Sequence, residues 1–174
     1  ARPGTTMESL GKLKAAFQKD GTTTAGNSSQ VTDGASVILL TRRDVANKLG
    51  CKIYGRVLSY AVAGVPPKIM GIGPAYAIPA ALEKAGCGLN DMDVFEINEA
   101  FASQATYCVE KLKVPREKLN PRGGAIACGH PLGMTGARMI VTLFHELERT
   151  NKKRGLVSMC IGTGMGACGV FERE

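Results

Sequence analysis

The sequence predicts an α/β domain in which helices cover both faces of a sheet. Short apolar runs alternate along the chain with longer segments of helical periodicity, and the chain closes with two strand-like runs joined by a glycine-rich connection. The 174 residues, 44% of them apolar, are enough to bury a core of ordinary size. We therefore expect a layered domain that ends in an antiparallel strand pair.

The first third of the chain gives few regular signals. Residues 1–30 are rich in Thr, Gly, Ser and Lys and predict an extended surface connection. The apolar run ASVILL (35–40), bounded by Gly34 and by charged residues, predicts a strand buried on both faces. The segment RRDVANKLG then predicts a short helix that ends at Gly50.

The middle of the chain predicts strand, helix, strand and helix. KIYGRVLSYAVAG (52–64) is rich in strand formers. The next helix is expected to begin at Pro74 and to end at Gly86, with a kink at Pro79. DVFEI (93–97) is a short apolar run, and apolar residues then recur at helical spacing.

The last third predicts a repeat of that pattern. GGAIAC (123–128) has the composition of a strand, and the segment after it carries a broad apolar stripe from Ala137 to Leu147. GLVSMC and GACGVFE then predict the two closing strands.

Charge and cysteine content narrow the classes of function. The net charge of +7 and isoelectric point near 9.2 indicate an anionic partner: nucleic acid, an acidic membrane surface or a phosphorylated small ligand. The basic residues are scattered and Trp is absent, which argues against a nucleic-acid surface. No apolar run approaches the roughly 18 residues of a membrane span. Six cysteines without a CxxC pair predict reduced thiols of an intracellular protein and no zinc site.

Three polar residues are expected where loops gather at the sheet edge: Asn98, His130 and Cys160. Ligands of α/β sheets bind outside the carboxyl ends of the strands, so these residues are candidates for one site. Each also has a structural alternative. Asn98 could cap the following helix, which would carry Glu99 in its first turn, Cys160 could be a buried apolar thiol, and His130 could be a core histidine.

The glycines near Cys160 and His130 favour a catalytic interpretation of these two residues. In CIGTGMG (160–166), the glycines would leave backbone N–H groups bare beside a thiol, as a developing oxyanion requires. His130 lies just before a predicted helix, whose positive end favours a neutral imidazole that accepts a proton. A thiol and a neighbouring base form a sensible catalytic pair, and the glycines would let backbone approach a ligand closely.

Three motifs in order along the chain resemble the C-terminal signature loops of the thiolases: NEAFA (98–102), GHPLGMTGAR (129–138) and CIGTGMG (160–166). The resemblance extends to TAGNSSQVTDGA (24–35) and therefore covers nearly the whole chain. The segments GIGPAYAIPAALEKAG and INEAFASQATYCVEKL look most similar to the 3-ketoacyl-CoA thiolases of peroxisomes.

The resemblance implies a role for each candidate residue. His130 would be the base that activates a nucleophilic cysteine, and Cys160 the second acid/base, acting at the α-carbon of acetyl-CoA. Asn98 would hold a water that shares one oxyanion hole with His130, and the N–H of Gly162 would supply part of a second oxyanion hole. A thioester would then be the ligand that the glycine-rich backbone approaches.

The resemblance also implies a thiolase-like layered fold, with a mixed five-stranded sheet and helices on both faces. Residues 1–40 would be the end of the thiolase N-terminal half, and residues 41–174 the C-terminal domain. Ala25, Ser29 and Phe101 match positions that line the pantetheine channel of the family. Ala1 in place of an initiator Met is consistent with a cut edge.

In thiolases, the nucleophilic cysteine and the loop domain that holds most of the nucleotide end of CoA belong to the N-terminal half, and none of the six cysteines here matches the nucleophile's motif. The resemblance thus implies the C-terminal part of an enzyme that cleaves 3-ketoacyl-CoA with CoA, in fatty-acid β-oxidation, to acetyl-CoA and a shortened acyl-CoA. CoA would be a substrate, with no permanent cofactor, metal, nucleic acid or membrane span.

The expected partners are the thiolase N-terminal half and a second copy in a homodimer, and the expected compartment is the peroxisome. The 174 residues alone are expected to be inactive. Two alternatives stay open: part of an acetoacetyl-CoA (biosynthetic) thiolase, and a non-catalytic thiolase-like binding or assembly module.

Overall fold

The structure is a computed structural model that describes residues 2–174. In this part of the chain four strands form one sheet, in the order β1-β4-β3-β2: β1 (Gly55–Gly64), β2 (Val94–Ile97), β3 (Arg154–Ile161) and β4 (Met165–Arg173). β2 and β3 are parallel, whereas β4 is antiparallel to its neighbours β1 and β3. The mixed sheet and the closing antiparallel pair are confirmed.

The described residues also form helices between these strands. The α-helices are α1 (Met7–Gly11), α2 (Arg43–Lys48), α3 (Pro74–Ala85), α4 (Ala102–Leu112), α5 (Ala125–Cys128) and α6 (Leu132–Arg149). Short 3-10 helices cover Pro67–Ile72, Leu89–Asp91 and Arg116–Lys118.

The bounds of α3 follow from its sequence. Pro74 occupies the first helical position, where its missing N–H costs nothing, and Gly86 ends the helix with a φ of 64°, the left-handed conformation that glycine adopts without strain. Pro79 lies inside α3, which nevertheless continues to Ala85. The predicted helix is confirmed at both ends.

Helices cover both faces of the sheet, as predicted. On one face, Ile78 of α3 and Val109 of α4 pack against Phe95 and other buried residues of the strands. On the opposite face, Leu143 and its neighbours in α6 pack against Val94, Val157 and Phe171. Adjacent residues of β2 thus enter different cores, because successive side chains of a strand point to opposite faces.

A fifth strand is reduced to one residue. Leu119 forms an isolated parallel bridge with Phe95 on the free side of β2, and the N–H of Asn120 donates to the Phe95 carbonyl at 2.8 Å. Asn120 has a φ of 42°, and Pro121 after it has no N–H, so the extended pairing stops there. The expectation of five strands is therefore corrected to four.

The buried strand predicted over residues 35–40 is absent from the structure. Val37, Leu39 and Leu40 are 89%, 73% and 76% exposed. A strand needs a neighbour for its backbone hydrogen bonds, and none of the four strands in the described chain pairs with this segment. The apolar run instead borders an apolar groove of about 940 Å³, which Phe144 also lines.

The strand predicted over residues 123–128 was also wrong, because Ala125–Cys128 form helix α5. The carboxylate of Glu99 accepts a hydrogen bond from the N–H of Ile126, at 3.4 Å, in the first turn of this helix. A carboxylate at a helix N-terminus satisfies backbone N–H groups that would otherwise be unpaired. A long-range contact therefore overrides the strand-like composition.

Candidate active site

Asn98 and His130, predicted to share a site, lie in contact. The N–H of Asn98 donates to the Ser158 carbonyl at 2.9 Å, which fixes the residue just beyond β2. Its side chain is 1% exposed, and its Nδ2 lies 3.3 Å from His130 Nε2. The alternative of a helix cap is wrong for Asn98, because α4 begins at Ala102 after the cap residue Phe101.

The contacts of His130 define its tautomer. The amide nitrogen of Asn98 only donates, so Nε2 of the imidazole accepts. Nδ1 therefore carries the proton and donates to Thr135 Oγ1 at 2.8 Å. Thr135 lies in the first turn of α6 and is fully buried. The imidazole presents an unprotonated nitrogen to the site, the form that a general base needs.

The surroundings of His130 disfavour its charged form. Burial lowers the pKa of the imidazole below its usual value, and the positive charge of Arg138 lowers the pKa further. His130 lies just before α6, as predicted. Burial and Arg138 thus act in the same direction as the helix end on which the sequence argument relied.

Cys160 lies inside the end of β3, where it pairs with Gly166 of β4. The residue is buried, and burial raises the pKa of its thiol, so the group stays protonated near neutral pH. Within residues 2–174, no hydrogen bond joins its Sγ to Asn98 or His130. The structure thus brings two of the three candidates into direct contact and places the third at the end of β3, just before the glycine-rich loop.

The three glycines after Cys160 have different surroundings. Gly162 is exposed, and a Cβ built on it would meet nothing within 4 Å. A Cβ on Gly164 would lie 2.5 Å from the Val65 carbonyl oxygen, and one on Gly166 would lie 2.1 Å from the carbonyl carbon of Gly73. The expectation of bare N–H groups at all three glycines is therefore corrected: two of them allow backbone to pack on backbone.

Glycines near His130 are explained in the same way. Gly129 has a φ of 91°, and a Cβ there would lie 2.6 Å from a methyl carbon of Thr32. A Cβ on Gly124 would collide with the Glu99 carboxylate. At these positions the glycines admit other parts of the chain, which accounts for them without a bound ligand.

Residues 27–32, here called the strap, tie the Asn98 and His130 loops together. The N–H of Ser29 donates to the Ala100 carbonyl at 3.0 Å, and the N–H of His130 donates to the Gln30 carbonyl at 3.1 Å. Ser28 and Phe101 form an antiparallel bridge. The strap thus crosses both loops through backbone hydrogen bonds.

The residues predicted to line a pantetheine channel fall in and beside this region. Ser29 is half-buried in the strap, and Phe101 is partly exposed and packs edge-on against Phe17. Ala25 is exposed in the turn that precedes the strap. Ser29 and Phe101 are therefore neighbours, while Ala25 lies at the start of the same segment.

Four polar residues near the site were not predicted to belong to it: Glu96, Glu99, Thr135 and Arg138. An acid within the apolar run DVFEI is a signal that could have identified Glu96, which is 1% exposed and lies 3.6 Å from Arg138. Glu99 also accepts from Asn120 Nδ2 at 3.1 Å. The spacing from His130 gave no signal for Thr135, because its contact depends on the turn between them.

Neither a metal site nor a membrane-spanning helix is found in the part of the chain that the structure describes. No group of three or more His, Cys, Asp or Glu side chains there could hold a metal ion. No helix between residues 2 and 174 has the length and apolar content to cross a bilayer.

Comparison with known families matches nearly the whole chain. The model of the thiolase C-terminal domain matches residues 51–173, and that of the thiolase N-terminal domain matches residues 1–44. The human peroxisomal 3-ketoacyl-CoA thiolase is 69% identical over 98% of this chain. This chain spans only 41% of that relative.

Solved structures show the same similarity. The Bacillus anthracis acetyl-CoA acetyltransferase superposes with a TM-score of 0.97 and 46% identity, over 99% of this chain and 44% of that one. The dimeric peroxisomal thiolase of Saccharomyces cerevisiae gives 0.94 and 58%, with the same coverage. The human mitochondrial 3-ketoacyl-CoA thiolase in complex with CoA gives 0.93 and 46%, over 100% and 44% of the two chains.

Proposed function

This chain belongs to the thiolase family, and from that premise we propose that it contributes the acid–base residues of a 3-ketoacyl-CoA thiolase. The reaction cleaves 3-ketoacyl-CoA with CoA to acetyl-CoA and a shortened acyl-CoA. The main support is the neutral imidazole of His130, whose Nε2 faces Asn98 at the sheet edge.

In the first step, His130 Nε2 takes the proton of a nucleophilic cysteine supplied by the thiolase N-terminal half. The thiolate attacks the 3-keto carbon, and the bond between C2 and C3 breaks. The electron pair of that bond passes to C2, and the Cys160 thiol protonates this carbon. Acyl-enzyme and acetyl-CoA result, leaving an imidazolium at His130 and a thiolate at Cys160.

In the second step, the Cys160 thiolate takes the proton of incoming CoA. The CoA thiolate attacks the acyl-enzyme carbonyl and forms the shortened acyl-CoA. The released cysteine thiolate recovers its proton from His130, so both acid–base residues return to their starting states. Burial of the Cys160 thiol suits it to these transfers, because its raised pKa makes the thiolate a strong base.

The other roles assigned by resemblance fit this scheme. Asn98 would hold a water that, with His130, stabilises one oxyanion, and the N–H of Gly162, an exposed residue, would stabilise another. Asn98 Oδ1 is buried without a hydrogen-bond partner in the described chain, so the side chain has a free acceptor for such a water. Ala25, Ser29 and Phe101 would contact the pantetheine arm.

The proposed partners follow from what the chain matches. Residues 1–40 would complete the N-terminal half, and residues 41–174 would form the C-terminal domain. The exposed apolar residues at 37–40 support packing against further thiolase structure. Homodimerisation is supported by the dimeric yeast thiolase, and a peroxisomal location by the names of similar proteins. The 174 residues alone would not catalyse thiolysis.

A second candidate is the acetoacetyl-CoA (biosynthetic) thiolase reaction. It is favoured by the TM-score of 0.97 with the Bacillus anthracis acetyl-CoA acetyltransferase. The two candidates share the same acid–base residues and differ in the length of acyl chain accepted.

The test supplies a thiolase N-terminal half to the 174-residue chain and measures thiolysis of acetoacetyl-CoA and of a long-chain 3-ketoacyl-CoA. Turnover of both substrates, only with the added half, supports the proposal. Turnover of acetoacetyl-CoA alone supports the second candidate. A complex that forms without turnover indicates a non-catalytic assembly module. Turnover by the lone chain would contradict the need for a partner and direct attention to the exposed Cys128.

A further inference from the structure

Behind the candidate site lies a buried ion pair to which the proposed reaction gives no role. Glu96 projects from β2 two residues before Asn98, so both side chains lie on the strand face covered by α6. Glu96 is 1% exposed, and its two carboxylate oxygens have no hydrogen-bond partner in the described chain. Its nearest cation is Arg138 of α6, with 3.6 Å between Nη1 and Oε2.

Arg138 is also linked to the base through its own helix. It lies three residues after Thr135, on the same face of α6, and Thr135 Oγ1 contacts His130 Nδ1. The Arg138 side chain is only 20% exposed, so solvent screens its charge less than that of a surface arginine. A cation held in this position opposes protonation of the imidazole.

We propose that Arg138 is a positioning residue for His130: the guanidinium, carried on the face of α6 that also carries Thr135 and lying beside buried Glu96, keeps the imidazole neutral and able to accept a proton. The catalytic meaning of this inference rests on the proposed function. The effect of Arg138 on the pKa of His130 does not depend on that function and can be measured without substrate.

The charged groups around the pair are few. Glu96 faces Arg138 and Glu146 from α6, and Glu99 from its own loop. Burial raises the pKa of Glu96 to about 7, Glu99 and Glu146 act in the same direction, and Arg138 opposes them. Arg138 is the charged side chain that shifts the pKa of His130, and the strap presents backbone groups of Ser29 and Gln30.

Substitutions of Arg138 and of Glu96 should therefore change the pKa of His130 differently. Arg138→Gln removes the cation, so the pKa of His130 should rise toward its ordinary value. Glu96→Gln keeps the cation. Glu96 is already mostly protonated where His130 titrates, so the pKa of His130 should stay the same or fall. A purely structural pair would make both variants behave alike.

The measurement is an NMR titration of the histidine Cε1–H signals of the 174-residue chain. The chain contains two histidines, and His145→Gln assigns the other signal. Arg138→Lys is the conservative control and should leave the pKa of His130 near the parent value. The double variant Glu96→Gln/Arg138→Gln leaves no uncompensated buried charge, and its His130 pKa should rise as in Arg138→Gln.

An unchanged His130 pKa in the double variant would overturn the proposal, as would an equal upward shift in Glu96→Gln. Where Arg138→Gln alone does not fold, the His130 pKa of the double variant tests the proposal. Failure of the proposed function would look different: the titration would show the expected shifts, while the chain supplied with an N-terminal half would still give no acyl-enzyme.

Discussion

The two loops that carry the candidate acid–base residues are built differently. His130 is oriented by polar contacts from three directions: Asn98, Thr135 and the Gln30 carbonyl of the strap. Cys160 is instead set in a sheet whose neighbouring glycines pack backbone against backbone. The base should therefore be sensitive to the loss of single polar atoms, whereas the region of the thiol should be sensitive to volume added at the closely packed glycines that follow it.

The largest effect is expected from His130→Ala, tested with a supplied N-terminal half. Loss of a general base typically costs roughly 10²–10⁴-fold, and we expect acyl-enzyme formation to fall by that factor. The measurement is the rate of acylation by a thioester substrate. His145→Ala is the matched control, because His145 is exposed on α6 and should leave the rate unchanged. Undiminished acylation in His130→Ala would remove the base role.

Cys160→Ser should affect cleavage of a 3-ketoacyl-CoA more than acylation by a simple acyl-CoA. The hydroxyl is too weak an acid and base for the α-carbon, so cleavage of a 3-ketoacyl-CoA should fall by about 10²-fold or more. Acylation by a simple acyl-CoA expels a CoA thiolate, which, unlike a carbanion, can leave without a proton from Cys160, so this rate should fall much less. The two rates are compared in the same preparation. An equal loss in both assays would indicate that Cys160 is structural.

Substitutions of the glycines that follow Cys160 test whether close backbone packing constrains this region. In Gly166→Ala, the new Cβ would collide with Gly73, and such overpacking costs about 1–3 kcal/mol. In Gly162→Ala, the Cβ would enter open space, and the free energy of unfolding should change little. Denaturant unfolding of both variants measures the difference. Equal stabilities would mean that the close approach of Gly166 to Gly73 does not constrain the loop.

Much of the fold could be predicted from the sequence where local signals and tertiary contacts agree. Pro74 and Gly86 mark the ends of α3 correctly, because the conformations they favour are the ones needed there. The run at 35–40 was mispredicted because apolar composition identifies a strand without revealing whether a neighbour exists to pair with it. Residues 123–128 were mispredicted because Glu99, distant in sequence, caps the helix.

The site was predicted in part for similar reasons. The rule that ligands bind where loops gather beyond a sheet correctly brought Asn98 and His130 together, although α5 and not a strand precedes His130. The rule could not find Thr135 or Arg138, whose contacts depend on where α6 turns. Nor could the sequence show that Gly166 meets another backbone, since glycine permits approach of ligand and chain alike.

The smallest effect, and the finest test of how the base is oriented, is expected from Thr135→Val. Valine keeps the volume of threonine but removes the oxygen that accepts from His130 Nδ1, so this nitrogen loses its buried partner. A net hydrogen bond contributes about 0.5–1.5 kcal/mol, which corresponds to a fall of up to about tenfold in the acylation rate. Thr135→Ser retains the hydroxyl and should restore the rate. Thr142→Val on the same helix is the control and should have no effect. If Thr135→Val matched that control, the polar contacts would not orient His130, and both loops would depend on packing alone.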